Sequence, residues 1–179
     1  MQPVALEQYQ NWTDNFSILW GKMMLTDATI SSCGRYRYSL SRKWDDAPTV
    51  LFVMLNPSTA DATKDDRTIG RCISFAKSWG FGSLIVGNLF AFRTPSPAEL
   101  MEAKEPVGPE NDHWLERLSK EASLTVAAWG NTGSYLGRAG EVAPRLNNPH
   151  YLKLTGAGQP SHPLYVSGDT RPTLWAFER

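Results

Sequence analysis

A chain of 179 residues with 41% hydrophobic residues, seven Trp, seven Phe and six Tyr is long enough for one domain with a substantial core. Lysine plus arginine total 18, as do aspartate plus glutamate, so the net charge is zero. That balance excludes the broad basic field of a non-specific nucleic-acid binder but leaves room for a local patch. Only Cys33 and Cys72 are present, which supports neither a disulfide framework nor a cysteine zinc site. No run nears the roughly 18 apolar residues of a membrane helix, and the first residues lack a signal peptide's basic and apolar regions. The expectation is one cytoplasmic domain over residues 1–179, monomeric, with no membrane partner and no cofactor.

Tyr9, Trp12, Phe16 and Trp20 share one helical face, predicting a helical extension over residues 1–25 packed on the domain. Between Cys33 and Trp44, Tyr36, Tyr38 and Leu40 alternate with Arg35, Arg37, Ser39 and Ser41. That period of two predicts an antiparallel edge strand with one wet face, on which the arginines are solvated charges. Asp45-Asp46-Ala47-Pro48 is a turn. Val50 to Leu55 is an unbroken apolar run, the pattern of a central strand buried on both faces. It stops at Asn56-Pro57, because proline donates no ladder hydrogen bond and drives the preceding residue away from helical dihedrals.

Ile69, Cys72, Ile73, Ala76 and Trp79 then fall at helical spacing up to Gly80, with Asp65 and Asp66 complementing the positive helix start. Ser83 to Gly87 is a second buried strand. Ser96-Pro97-Ala98-Glu99 starts a helix with a Ser cap, Pro in the first turn and Glu three after the cap. Trp114, Leu115, Leu118 and Ala122 form a further helical face, and Leu124 to Trp129 a third strand. Tyr135 to Leu146 reads as one amphipathic helix, Tyr151 to Leu154 as a fourth strand, and Gly156 to Pro163 as a loop. The alternation predicts a three-layer α/β/α sandwich with a mostly parallel central sheet of about four strands, plus the N-terminal antiparallel edge strand.

No phosphate loop, dinucleotide glycine fingerprint, nucleophile elbow or metal-protease helix is present. What remains is polar side chains just past strand ends: Asn56 and Asp61, Asn88 and Arg93, Gly130 and Asn131, then Ser161-His162. In an open α/β sheet, that carboxyl edge is where ligands bind.

Leu55-Asn-Pro-Ser-Thr-Ala-Asp61, Asp65-Asp-Arg-Thr-Ile69, Asn88-Leu-Phe-Ala91, Ala128-Trp-Gly130 and His162-Pro-Leu-Tyr165 resemble a family of small bacterial and phage proteins of unknown function, from about Arg35 onward. More distantly, the same points are similar to the uracil-DNA glycosylase superfamily. Asn56-Pro57 matches the Asn-Pro form of its mismatch-specific branch, Asn88-Leu89 with Arg93-Thr94 its second strand end, and Ser161-His162-Pro163 its late loop. The chain departs from that pattern at Ser58, where the superfamily has Tyr or Gly, and at Leu164-Tyr165, where a second Ser is missing.

The resemblance implies a uracil-DNA-glycosylase-like fold and hydrolysis of the N-glycosidic bond of a damaged or modified base flipped out of DNA, in repair or phage defence. Asn56, His162 and Asp61 would be catalytic. Pro57, Ser58, Thr59, Asn88, Phe90, Arg93, Ser161, Pro163, Leu164 and Tyr165 would bind substrate, and no metal is required. Asn56 would orient water, Asn88 read the base edge, and His162 donate to the departing base. Ser58 would leave room for a C5 substituent, and Tyr165 would fill the gap left by the flipped base. Two alternatives stay open: a module of the same fold that binds a modified base or nucleotide without cutting it, and a metal-dependent nucleotide or phosphate-transfer enzyme using Asp61, Asp65 and Asp66.

Overall fold

The structure, a computed structural model, describes residues 24–58 and 60–176. Thr59 and residues 1–23 of the predicted N-terminal helix lie outside the described residues, and Leu25, placed at the end of that helix, belongs to a strand. The strands are β1 (Leu25–Ile30), β2 (Arg37–Lys43), β3 (Thr49–Met54), β4 (Ser83–Asn88), β5 (Leu124–Ala127), β6 (Pro149–Tyr151) and β7 (Thr173–Leu174). They form one mixed sheet in the order β1-β2-β4-β3-β5-β6-β7. The pairs β4–β3, β3–β5 and β5–β6 are parallel, while β1–β2, β2–β4 and β6–β7 are antiparallel.

This overturns the expected four-stranded, mostly parallel, uracil-DNA-glycosylase-like sheet. The N-terminal side is antiparallel because β2 runs against β4, with Leu40 opposite Val86, and β1 then pairs outside it. β2 is therefore an inner strand, and its wet face does not exist: Arg37 and Arg42 are 2% and 1% exposed. The alternation was real, but both faces are covered.

Among the described residues four α-helices, α1 (Arg67–Ser78), α2 (Pro97–Glu102), α3 (Asn111–Glu121) and α4 (Arg138–Val142), join the sheet in an α/β fold. α1 lays Ile69, Cys72, Ile73 and Ala76 on one sheet face with Val50, Phe52 and Val86. α3 and α4 lay Leu115, Leu118, Ala139 and Val142 on the other with Leu51 and Val53. β3 sits between them with Val50 to Val53 wholly buried, as its sequence required. α1 starts as predicted: the Asp66 carboxylate accepts from the Ile69 N–H at 2.9 Å, the N-cap arrangement. α2 starts at the Ser96 cap.

The helix expected from Tyr135 to Leu146 is broken. Leu136 and Gly137 have φ of 51° and 71°, left-handed values that end the 3-10 turn Asn131–Gly137 before α4 begins. The fourth strand lies earlier than expected, at Pro149–Tyr151. Among the described residues no helix is long and apolar enough to cross a membrane.

The turn from β2 to β3 closes tightly on Gly82, whose N–H donates to Pro48 and whose carbonyl accepts from Trp44 and Asp45. A Cβ there would come within 2.6 Å of the Ala47 backbone nitrogen. Because backbone cannot swing aside, Gly82→Ala should cost about 1–3 kcal/mol. At this chain length that lowers the melting temperature by about 2–12 °C, readable by calorimetry.

Candidate functional site

At the carboxyl ends of β3, β4 and β5 the sheet opens into a pocket of about 380 Å³. From β3 come Met54, Leu55, Asn56 and Ser58, and from the segment after β4 come Thr94, Pro95 and Pro97. Trp129, Gly130, Asn131 and Thr132 follow β5, Asp66, Thr68 and Ile69 open α1, Arg37 enters from β2, and His162 and Tyr165 come from the late turn. Met54, Ile69 and Arg37 are buried and make the floor, whereas Tyr165, 82% exposed, stands at the mouth.

Asn56 is held by its amide nitrogen, which donates to the Thr94 carbonyl at 2.8 Å and to the Pro57 carbonyl at 3.1 Å. The Thr94 N–H in turn donates to Pro57, so the two strand ends are laced together. With both amide hydrogens spent, the oxygen Oδ1 is the group Asn56 offers to the pocket. It can accept from water or ligand but cannot act as a strong base.

His162 precedes Pro163 and is extended, with φ −66° and ψ 141°. Its Nδ1 accepts from the Leu164 N–H at 3.4 Å, which puts the proton of the neutral ring on Nε2. Burial lowers its pKa from the ordinary 6.5, against a smaller opposing pull from Asp66. At neutral pH it is an uncharged donor. Tyr165 packs on it with ring centroids 5.8 Å apart.

The other expected residues divide. Ser58 lines the pocket. Pro57 is buried, its carbonyl used by Asn56 and Thr94. Asp61 does not line the pocket: its Oδ1 accepts from Thr63 N–H, Thr63 hydroxyl and Lys64 N–H, bonds that lower its pKa. Its carboxylate locks its own loop.

Asn88 lies in register with Met54 and is wholly buried behind the floor, both side-chain polar atoms unpartnered. Phe90 is in the core against Leu89 and Tyr135. Arg93 donates to the Gly34 carbonyl, away from the pocket lining. Ser161 and Pro163 are buried supports, and Leu164 is 39% exposed beside Tyr165. Strand-end position alone did not separate residues that line the pocket from those taken up by the core or by their own loop.

Sequence reasoning missed Arg37 as a pocket residue, and gave Asp66 a helix-start role and, in the metal-dependent alternative, a place beside Asp61 and Asp65. Arg37 enters because Tyr38 is unopposed in the β1–β2 register: Thr29 faces Ser39 and Ile30 faces Arg37. The bulge keeps Tyr36 and Tyr38 with Ala91 and Trp114, and turns Arg37 to the α1 face with Leu40 and Arg42. Burial holds its pKa down, to about 10, so it stays charged at neutral pH. One guanidinium nitrogen donates to the Ala60 carbonyl, Nε has no partner, and no described carboxylate forms an ion pair with it. Among the described residues no group of three or more His, Cys, Asp or Glu is placed to hold a metal ion.

A family model described as "Protein of unknown function (DUF1643)" matches residues 37–164. The chain belongs to that family. The match runs from Arg37 in β2 to Leu164 in the late turn, so it spans every segment that lines the pocket apart from Tyr165. Neither a curated protein nor a solved structure matches the chain.

The His162 environment fixes the sign of a pH effect. A ring harder to protonate when folded gives stability that is full above the ordinary value near 6.5 and is lost as pH falls through the depressed folded value. His162 should therefore titrate below 6.5 by NMR, and His162→Gln should flatten the fall in melting temperature between pH 6.5 and 5. A titration at or above 6.5 contradicts the neutral-donor state.

Proposed function

We propose that the pocket receives a single nucleobase flipped out of DNA and hydrolyses its N-glycosidic bond. One observation carries the reading: Asn56 and His162 line the same pocket, one with a pinned carbonyl oxygen to offer and the other with an Nε2–H. An acceptor that orients water toward the sugar and a donor that meets charge developing on the base are complementary needs of this reaction. A cavity of about 380 Å³ lies in the range of small-molecule sites. Because the sheet is not that of the uracil-DNA glycosylases, the likeness to them supports the roles through short motifs alone.

Ser58 on the pocket wall supports a base with a C5 substituent, including the modified bases of phage DNA. The metal-dependent alternative gains nothing from the geometry: Asp65 is paired with Arg42 and Asp61 is spent on its own loop, which leaves Asp66 alone of the three on the pocket.

The test is to incubate the protein with DNAs carrying natural and phage-type modified bases, then identify released bases by mass spectrometry and abasic sites by alkali. Release of a base supports the hydrolase, and retention of DNA without release supports the binding module instead. On the base released, Asn56→Ala should lower turnover by about 10²-fold or more with DNA affinity little changed. His162→Ala should cost about 10²–10³-fold. Activity within a few-fold of wild type in either variant removes that residue's role.

Tyr165 stands exposed at the mouth, where its ring can stack in the space a flipped base vacates, an effect of about 1–3 kcal/mol per base. Tyr165→Ala should weaken duplex more than single-stranded substrates. An unchanged ratio of the two affinities removes Tyr165 from that role.

A further inference from the structure

Two charged side chains of the pocket have no part in the reading above. Arg37 is 2% exposed on the floor, with an unpartnered Nε. A buried donor without an acceptor carries a desolvation cost, larger for a charged group, that a bound ligand can relieve. Asp66 lines the same pocket from the start of α1, and only its Oδ1 is used, by the Ile69 N–H. No described donor reaches its Oδ2. The two charges share a field: Asp66 supports the protonated state of both Arg37 and His162. Arg42 is paired to Asp65 and Asp61 is bonded to its own loop. Arg93 also has a buried Nε without a partner, but it does not line the pocket and its Nη1 donates to the Gly34 carbonyl.

We propose that Arg37 and Asp66 are the charged catalytic pair of this pocket, Arg37 donating to the leaving base and Asp66 accepting the proton of the attacking water. This rests on the glycosidic reading of the site. When the C–N bond breaks, its electron pair goes to the base and positive charge grows on the sugar. A buried cation and a carboxylate lining one pocket stabilise that separation more than they stabilise the neutral ground state. Water oxygen bonds to the anomeric carbon, Asp66 takes the water proton, and the base leaves as an anion held by Arg37 and His162. Asp66 then releases its proton to solvent and the base takes one up, so protons balance and neither oxidant nor metal is needed. The assignment also restricts the substrate: the base must present an acceptor at its deep edge, which an oxo group or unprotonated ring nitrogen supplies.

Asp66→Asn isolates the charge. Asparagine caps a helix about as well as aspartate, so the Ile69 N–H keeps its acceptor and the melting temperature should hold close to wild type. Turnover of the released base should nevertheless fall about 10²-fold or more. Independently of turnover, loss of the carboxylate should move the His162 titration downward by NMR, whereas Asp66→Ala should also lower the melting temperature.

Arg37→Met keeps the stem and removes the donor, and should cost turnover more than Arg37→Lys does. If Asn56→Ala abolishes activity while Asp66→Asn stays within a few-fold of wild type, the pair is wrong and the glycosidic reading stands. If the wild-type protein releases no base from any DNA offered, that reading and the pair both fall. An unmoved His162 titration in Asp66→Asn overturns the shared field on which the pair depends.

Discussion

The fold depends on burying β3 on both faces. Val50, Leu51, Phe52 and Val53 are each wholly excluded from water, two toward α1 and two toward α3 and α4. At about 1.5–3 kcal/mol for each fully buried large apolar side chain, this strand alone justifies covering both faces of the sheet. It also fixes where polar groups go. A strand that is apolar throughout can present hydrogen-bonding side chains only past its ends, and at its carboxyl end Asn56 and Ser58 do so.

The lacing between strand ends turns that edge into a site. Asn56 donates to Thr94, and Thr94 donates back to Pro57, so the segments after β3 and β4 are tied to each other. Both amide hydrogens of Asn56 are spent in the process, leaving its oxygen as the group presented to a ligand. On the far side, Pro163 restricts the backbone of His162, and the Leu164 N–H sets its tautomer. A neighbouring backbone group selects the chemistry that each side chain can offer.

Buried arginine is the second constraint. Arg37 and Arg42 lie on the α1 face of β2, where an unpaired guanidinium is costly. Arg42 is paired with Asp65 at 2.8 Å and reaches the Asp61 carbonyl, so it ties the loop before α1 to the sheet. Arg37 shares that anchoring through Ala60 yet keeps Nε unused. The loop carrying Ser58 is thus held at its far end by one arginine with a structural partner and another with spare donor capacity.

The sequence by itself determined the elements whose signal is local. The apolar run of β3, the helical spacing of α1, its Asp66 cap and the Ser96 start of α2 were all legible because backbone dihedrals and local capping bonds act within a few residues. The end of β3 at Asn56 was legible too, since Asn-Pro cannot continue a ladder, but that His162 joins Asn56 on one pocket while Asn88 does not was decided by the tertiary structure. Only the tertiary structure decided that β2 is an inner antiparallel strand, because alternation records which side chains pair on each face and not whether a second layer covers the outer one. Only it decided that Arg37 enters the pocket, since a bulge at Tyr38 depends on the register with β1. Asn88 and Asp61 were equally polar and equally near strand ends. Asp61 is taken up by its near neighbours Thr63 and Lys64, whereas Asn88 is enclosed by a core that only folding assembles around it.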